Sequence, residues 1–327
     1  MADTKINDLP ENTTPALIDL LALVNDPTGT PATQKMKLLT LWSVLNPQRG
    51  FLINGKIVPS VTLDNLTVAI KGLDGNDPSA TNPVYIRIGD TVRTITAALS
   101  VTKAAGTNWF DSGSTELATQ VINYFVYLGY NATDGVVIGF ARIPHVSEYG
   151  TFSATTTNEK YCAISTITNA AAGDDYENIG RFSAILSAGA GYTWTVSAAS
   201  NINLIQRPIY ETSNMIWAPT YSCSGSMTYT SITTSYAQYK LIGSTMFIVL
   251  YVNGTTGGTA STALIASLPF TSLYTHAGAC AILEGSDIVG YYSIGAAASA
   301  ISVSRSDSSN WGLGTIRRIK VNIPIQI

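Results

Sequence analysis

A long stretch with almost no charge, from Met227 to Phe270, constrains the fold of this 327-residue chain more than any other feature. Its Thr and Ser residues alternate with Tyr, Ile, Val and Leu, which is the period of two expected of a half-buried β-sheet. Asn253-Gly254 and Gly257-Gly258 are typical turn pairs, so the stretch predicts consecutive short strands joined by glycine hairpins. No catalytic motif accompanies it, and a sheet surface of this kind indicates a partner.

The whole chain has few ionised groups for its length. Charged residues make up 12% of it, about half the usual share, whereas 46% of its residues are hydrophobic and the mean hydropathy is +0.19. A monomer needs surface charge to remain soluble. We therefore expect much of the Thr, Ser, Ala and Gly surface to be covered by further copies of the chain or by a larger assembly.

The charge balance argues against nucleic-acid binding, and the opening residues argue against membrane insertion. A net charge of −3 and a pI near 5.4 predict no basic surface. The densest basic group, Arg317, Arg318 and Lys320, is interpreted as the solvated face of a strand. The apolar run from Ala16 to Val24 is too short to span a bilayer and no secretory signal precedes it, so we expect folding in a cytoplasm.

Neither the cysteines nor the histidines indicate a disulfide framework, a metal site or a nucleophile. Cys162, Cys223 and Cys280 are far apart and in no ligand spacing, which favours buried thiols in a reducing compartment. His145 and His276 have no second ligand residue nearby in the sequence. We predict ordinary structural roles for all five residues, with no metal and no cofactor.

Turn signals divide the chain into residues 1–48, 49–212 and 213–327. The first part predicts a hairpin: Leu20 to Val24 form an apolar strand, Gln34 to Leu39 return, and Thr40 begins a short helical turn. About 45 residues of this kind are marginal alone, so we expect this part to dock on something larger.

The second and third parts predict two sandwich-like or barrel-like units, which makes the fold class all-β. In the second part, Ser60 to Ile70 is predicted to pair with Val84 to Val92, and Asn158 to Ala171 is a predicted short helix. In the third part, alternation from Ile319 to Ile325 predicts a final strand that closes a sheet.

The opening residues resemble the amino-terminal anchoring segment of tailed-bacteriophage fibre and spike proteins. Such segments read Lys-Ile, then Asp-Leu-Pro, a polar spacer, an apolar strand that begins Asp-Leu, a polar turn and a Lys-rich returning strand before a short helix. The matching residues here are Lys5, Ile6, Asp8, Leu9 and Pro10, then Asp19 to Asn25, then Lys35 to Lys37, then Leu41 and Trp42. The resemblance implies attachment to the virion, with the anchoring contacts made by Leu9, Pro10, Leu20, Leu21, Leu23 and Trp42.

Most of the remaining chain carries related resemblances. Asn82 to His145 together with Asn158 to Phe182 look like a module found in phage and prophage virion proteins. The third part is similar to jelly-roll-like carboxy-terminal domains of phage fibres, through Trp217, Pro219, Tyr229, Tyr236, Ala237, Tyr239, Gly243 and Leu268 to Phe270. These resemblances imply a homotrimer that contacts other virion proteins at its amino end and faces outward at its carboxy end. The chain has no heptad or collagen-like shaft, so a short spike is expected.

Paired carboxylates are the minimum equipment for glycoside hydrolysis, and a few clusters qualify by sequence. They are Asp74 with Asp77, Asp174 and Asp175 with Glu177, and Glu284 with Asp287. Each lies in or beside a turn, where Asp and Asn are favoured for their hydrogen bonds to the backbone, so turn chemistry explains them better. We therefore predict that the protein is not an enzyme.

Aromatic residues in the third part indicate a binding surface. Exposed rings stack on sugars while Asn and Asp side chains bond the hydroxyl groups, and the loop from Ser306 to Trp311 combines both. We predict that Asp307, Asn310 and Trp311 contact a host glycan or protein. The alternative is that these aromatic residues lie in the core or in a subunit interface.

The sequence therefore predicts a structural component of a tailed-phage virion that attaches to the host surface. Two alternatives stay open at this point: a polysaccharide-degrading tailspike, and a capsid or neck decoration protein that binds no receptor.

Overall fold

A computed structural model of the chain describes residues 20–25, 32–37, 49–106, 119–144, 152–153, 162–163, 176–187, 192–196 and 209–327. Every regular element in these ranges is a β-strand, so the prediction of an all-β fold is confirmed for them. No helix in the described ranges is long and apolar enough to cross a membrane.

The amino-terminal part contains an antiparallel hairpin. Strand β1 (Leu20–Asn25) pairs with β2 (Ala32–Lys37), with Leu20 opposite Lys37 and Asn25 opposite Ala32. The predicted outgoing and returning strands are therefore confirmed at these residues. The predicted helical turn after Thr40 lies outside the described residues, as do Leu9, Pro10 and Trp42.

The central part is built from three sheets. One contains, in spatial order, β3 (Leu52–Ile53), β6 (Val84–Ile88) and β7 (Thr91–Ile95). The second contains β4 (Gly55–Thr62), β5 (Asn65–Gly72) and β8 (Leu99–Lys103). The third contains β11 (Phe152–Ser153), β12 (Cys162–Ala163), β10 (Gly135–Ala141), β9 (Ile122–Asn131), β13 (Tyr176–Leu186) and β14 (Trp194–Val196).

Two predictions for this part are wrong. The run from Ser60 to Ile70 does not pair with Val84 to Val92. Leu63 and Asp64 form a tight turn with φ of 48° and 64° that folds β4 back onto β5. Strand β5 pairs with β4 and β8, whereas β6 pairs with β3 and β7. Leu is not a usual residue for a turn with positive φ, so the sequence gives no signal there. The described residues of the predicted helix, Cys162 and Ala163, are strand, and the rest of that segment lies outside the described residues.

The carboxy-terminal part is one nine-stranded antiparallel sheet. In spatial order its strands are β15 (Met215–Ile216), β17 (Met227–Ile242), β18 (Thr245–Gly258), β23 (Gly314–Gln326), β20 (His276–Glu284), β21 (Ser286–Ile294), β22 (Ala300–Arg305), β19 (Ala263–Ser267) and β16 (Tyr221–Cys223). The final strand lies between β18 and β20, near the centre, so the predicted role of Ile319 to Ile325 in completing a sheet is confirmed.

The two edge strands of this sheet, β15 and β16, are consecutive in the chain, so the sheet must curl for one short link to reach both edges. The link contains Trp217, which is buried and bonds to the strand next to each edge. Its backbone N–H donates to the Ala237 carbonyl on β17 (3.3 Å), and its indole N–H donates to the Ser267 carbonyl on β19 (3.2 Å). The barrel-like character predicted for this unit is therefore confirmed.

The predicted glycine hairpins around residue 254 are wrong. Strand β18 runs without interruption through Asn253-Gly254, and the chain turns instead at Gly243, which has a φ of 57°. Gly254 lies opposite a bulge in β17, where a Cβ atom would come within 2.9 Å of the side chains of Ile232 and Tyr229. Glycine is therefore present for close packing and not for a turn.

Buried side chains form a cluster that continues from the central part into the carboxy-terminal part. Within the central part, the Tyr124 ring contacts Phe182 and Trp194 at centroid distances of 5.5 and 5.6 Å. The parts also bond directly, because the Ser213 N–H donates to the Asn123 side chain (3.0 Å). The domain boundary near residue 212 stays a prediction.

Candidate functional site

The predicted receptor loop connects β22 and β23 at one end of the nine-stranded sheet. Asp307 and Asn310 are exposed, but Trp311 is 0% exposed. The Trp311 indole N–H donates to the Val303 carbonyl (3.2 Å), and its backbone N–H donates to the Ser261 carbonyl (2.8 Å). The prediction that Trp311 offers a ring to a sugar is therefore wrong, because the side chain fills the interior of the sheet.

A charged network fixes the outer half of this loop. The Arg305 guanidinium donates to both carboxylate oxygens of Asp307 (3.0 and 2.7 Å) and to Glu284. Asp307 also accepts the Ser309 N–H (3.0 Å), and Ser308 between them has a φ of 59°. The Arg305 side chain is the main cause that holds the pKa of the Asp307 carboxyl below its ordinary 3.8, and the Asp307 hydrogen bond in turn raises the pKa of Arg305.

A second arginine holds the inner half of the loop. Arg317 lies near Glu284 (Nε to Oε1, 3.4 Å) and donates to the carbonyls of Gly312 (2.8 Å), Leu313 (3.0 Å) and Thr315 (2.9 Å). Glu284 also accepts the Gly312 N–H. The interpretation of Arg317 as part of a solvated face is therefore wrong, and Glu284 does more than flank a turn. Together these bonds make the loop a fixed frame.

The Asp307, Asp74 and Asp77 carboxylates each make structural contacts. A glycosidase acid needs a raised pKa, whereas Asp307 has a lowered one because Arg305 neutralises it. Asp74 accepts the Asn76 N–H (2.9 Å) and an Asn82 side-chain N–H (2.9 Å), as expected of a turn. Asp77 forms an ion pair with Lys71 (Nζ to Oδ1, 2.7 Å).

The remaining carboxyl cluster is only partly described. Asp174 and Asp175 lie outside the described residues. Glu177 is buried, accepts the Gly89 N–H (3.3 Å) and lies 3.8 Å from Arg49. It therefore links β13 to the end of β6.

The histidine and cysteine side chains that are described offer no metal centre. Among the described residues, no group of three or more His, Cys, Asp and Glu side chains could hold an ion. His276 accepts the Gln326 N–H through Nε2 (3.3 Å), while His145 lies outside the described residues. Cys223 and Cys280 are free and half-buried, and burial raises the pKa of each thiol to about 11.

The structure reveals a surface that the site predictions missed, which we name the outer face. It comprises the outward side chains of five neighbouring strands, β17, β18, β23, β20 and β21. One row across it runs through residues that lie opposite one another on successive strands: Tyr236, Tyr251, Lys320, Ala281 and Val289. Its exposed large side chains include Tyr236 (47%), Ile242 (47%), Phe247 (43%), Val289 (54%) and Tyr291 (53%).

A sequence signal for the outer face does exist. Residues Thr245 to Val252 read TMFIVLYV, which is apolar at nearly every position and not only at alternate ones. Such a run is typical of a strand that is covered on both faces. Within the single chain, however, only alternate residues of β18 are buried, and Phe247 is exposed.

A shallow apolar groove lies where the two edges of the curled sheet approach each other. It has a volume of about 450 Å³ and is lined by Ile216, Trp217, Pro219, Tyr221, Ile232 and Tyr236, among others. The Tyr221 hydroxyl shares a hydrogen bond with the Ser235 hydroxyl (2.6 Å) across it. Because Tyr236 belongs to both features, the groove continues the outer face.

Comparison of the chain with protein-family models, with curated proteins and with solved structures finds no match.

Proposed function

We propose that this chain is a structural component of a tailed-bacteriophage particle and works as a homotrimer. In this proposal residues 1–48 attach it to other virion proteins, and the carboxy-terminal part faces the host cell surface. The protein acts by binding and not by catalysis. It folds in the bacterial cytoplasm and then resides in the virion.

The amino-terminal hairpin is the observation that carries this proposal. β1 and β2 are the outgoing and returning strands of the segment whose sequence resembles phage anchoring modules. A two-stranded hairpin has little stability by itself, so its presence supports a segment that docks on something larger. We assign this contact to Leu20, Leu21 and Leu23 on β1, together with Leu9, Pro10 and Trp42 in the flanking sequence.

The nine-stranded unit is the part that we equate with the jelly-roll-like outer domain implied by the resemblance. Its β22–β23 loop is fixed by Arg305 and Arg317, so Asp307 and Asn310 are displayed on a rigid frame. We assign these two exposed residues, without Trp311, to contact with a host glycan or protein. In a homotrimer, three shallow contacts act together and raise avidity through effective concentration.

Immunogold microscopy of purified phage particles tests the proposal. An antibody against residues 215–327 should label a defined position on particles that contain the full chain. Particles assembled with a chain that lacks residues 1–48 should carry no label, although the truncated protein is present in the lysate. Particles without label in both cases would refute virion attachment.

The same preparation separates the proposal from its alternatives. Release of reducing ends from host capsule or lipopolysaccharide by the purified protein would favour a polysaccharide-degrading spike. Loss of particle robustness with unchanged adsorption, after removal of residues 215–327, would favour a decoration protein.

A further inference from the structure

We infer that the outer face is the contact surface for a second copy of this chain. The inference rests on the proposed homo-oligomer and adds the surface through which the copies meet. Four features of the described residues support it: chemical character, size, charge and continuity with the apolar groove.

The central row of the outer face has the chemical character of an interface core. Between Tyr236 on β17 and Val289 on β21, the row of facing residues contains two tyrosines, an alanine and a valine, and its one charge is Lys320. The next rows add Phe247 and Tyr291, together with the polar Gln238 and Asn322 and the charged Lys240. Interface cores are enriched in aromatic residues and depleted of charge, as the central row is.

The outer face is large enough for a stable contact. Five strands at about 4.8 Å spacing cover about 24 Å across, and nine residues at about 3.3 Å each cover roughly 30 Å along the strands. The product is roughly 700 Å², before side-chain relief is counted. A stable interface buries about 800 Å² on each partner, so this one face supplies most of that area.

The charge of the outer face favours a second copy of the same chain as its partner. The outer face carries Lys240, Arg318, Lys320 and Asp287, and Lys240 pairs with Glu211 at the rim (2.9 Å). These five groups sum to +1, so the remaining residues of a chain with net charge −3 carry −4. The rest of a neighbouring copy therefore has a net charge opposite in sign to that of this face. Contact between two different surfaces of identical chains forms rings such as trimers when the rotation between copies closes.

The apolar groove extends the same contact around the sheet edge. Ile216 (56% exposed) and Ile232 (37%) line it, beside Tyr236 of the outer face. A projecting apolar side chain from the neighbouring copy can enter this groove, as anchor residues do at the centre of interfaces.

Light scattering coupled to size-exclusion chromatography tests the inference with two face variants and one matched control. The wild-type chain should have a mass that is a multiple of 34.6 kDa. Val289→Glu and Phe247→Glu should each weaken association at least tenfold and release the 34.6 kDa chain. Leu73→Glu makes the same kind of change at a side chain that is 61% exposed outside the face, and it should leave the mass unchanged.

A labelling measurement covers the case in which a face variant fails to fold. Ala279 is a small exposed residue near the centre of the outer face, so Ala279→Cys perturbs little. In the assembled protein this thiol should react with a maleimide at least tenfold more slowly than the thiol of Leu73→Cys. Equal rates would overturn the inference.

The outcomes distinguish failure of the inference from failure of the proposed function. An oligomeric wild type whose face variants keep the wild-type mass would overturn the inference alone. A wild type that is monomeric at micromolar concentration would overturn both the inference and the proposed homotrimer.

Discussion

Replacing Trp311 by Ala should strongly destabilise the carboxy-terminal part, because the whole side chain is buried in the folded protein. Truncation of a buried Trp to Ala costs about 3–5 kcal/mol, from lost apolar burial and the cavity left behind. The indole hydrogen bond to Val303 adds about 1 kcal/mol within that range. We therefore expect a loss of about 4 kcal/mol in the free energy of unfolding.

Urea denaturation monitored by circular dichroism, at one fixed protein concentration, measures this loss. Concentration must be matched because association of copies stabilises the folded state. Trp311→Phe keeps most of the buried ring and should lose less than half as much as Trp311→Ala. Tyr274→Ala, at a side chain that is 59% exposed in the same part, should change the free energy of unfolding by about 0.5 kcal/mol or less.

The reasoning would be refuted if Trp311→Ala unfolded within about 1 kcal/mol of the wild type. Such a result would mean that the ring contributes little burial, as an exposed sugar-stacking residue would. If the reasoning is correct, Trp311→Ala instead reduces host-surface binding only to the extent that it unfolds the protein.

Three further predictions concern a close contact, an acid and a thiol. Gly254→Val should lower the free energy of unfolding by about 2 kcal/mol or more, because the added side chain meets Ile232; a neutral effect in urea denaturation would contradict this packing. Asp307 should titrate below 3.8 in carbon-13 NMR, because Arg305 lowers its pKa in the folded state. The ionised carboxylate therefore stabilises the fold above pH 3.8, and this stability is lost as the pH falls through the folded-state pKa. A titration midpoint at or above 3.8 would contradict the ion pair. Burial raises the pKa of Cys280 to about 11, so the folded protein should react with iodoacetamide at pH 7.5 roughly 100-fold more slowly at this thiol than the urea-unfolded chain does. Peptide mass spectrometry follows the reaction, and equal rates would show that the thiol is not buried.

Strand character and the position of the last strand could be predicted from local pattern alone. The alternation from Ile319 to Ile325 places Ile319, Val321, Ile323 and Ile325 on the buried side, and all four are buried in the structure. Period-two alternation reports burial of one face directly, so no knowledge of the partner strands is needed. The partners themselves, β18 and β20, are set by the curl of the whole sheet.

Turn positions and the receptor loop could not be predicted in the same way. Asn253-Gly254 has the composition of a hairpin turn. Glycine is present there instead because the bulge on the neighbouring strand leaves no room for a side chain. Leu63-Asp64 has no turn composition and yet forms the turn. Trp311 follows a polar loop, so the sequence alone favours an exposed side chain. In the structure the indole is buried beneath the sheet and donates to the Val303 carbonyl. The errors at Gly254 and Trp311 each involve contacts with residues distant in sequence, among them Tyr229 and Ser261.

The order of strands in the carboxy-terminal sheet has a consequence for how fast it can form. Thr245 on β18 pairs with Gln326 on β23, a separation of 81 residues. Pairings this distant require closure of a long loop before any hydrogen bond is gained, so acquisition of the native sheet should be slow. Until β23 is in place, the apolar strands on either side of it have unpaired edges, and chains in that state are the ones that aggregate.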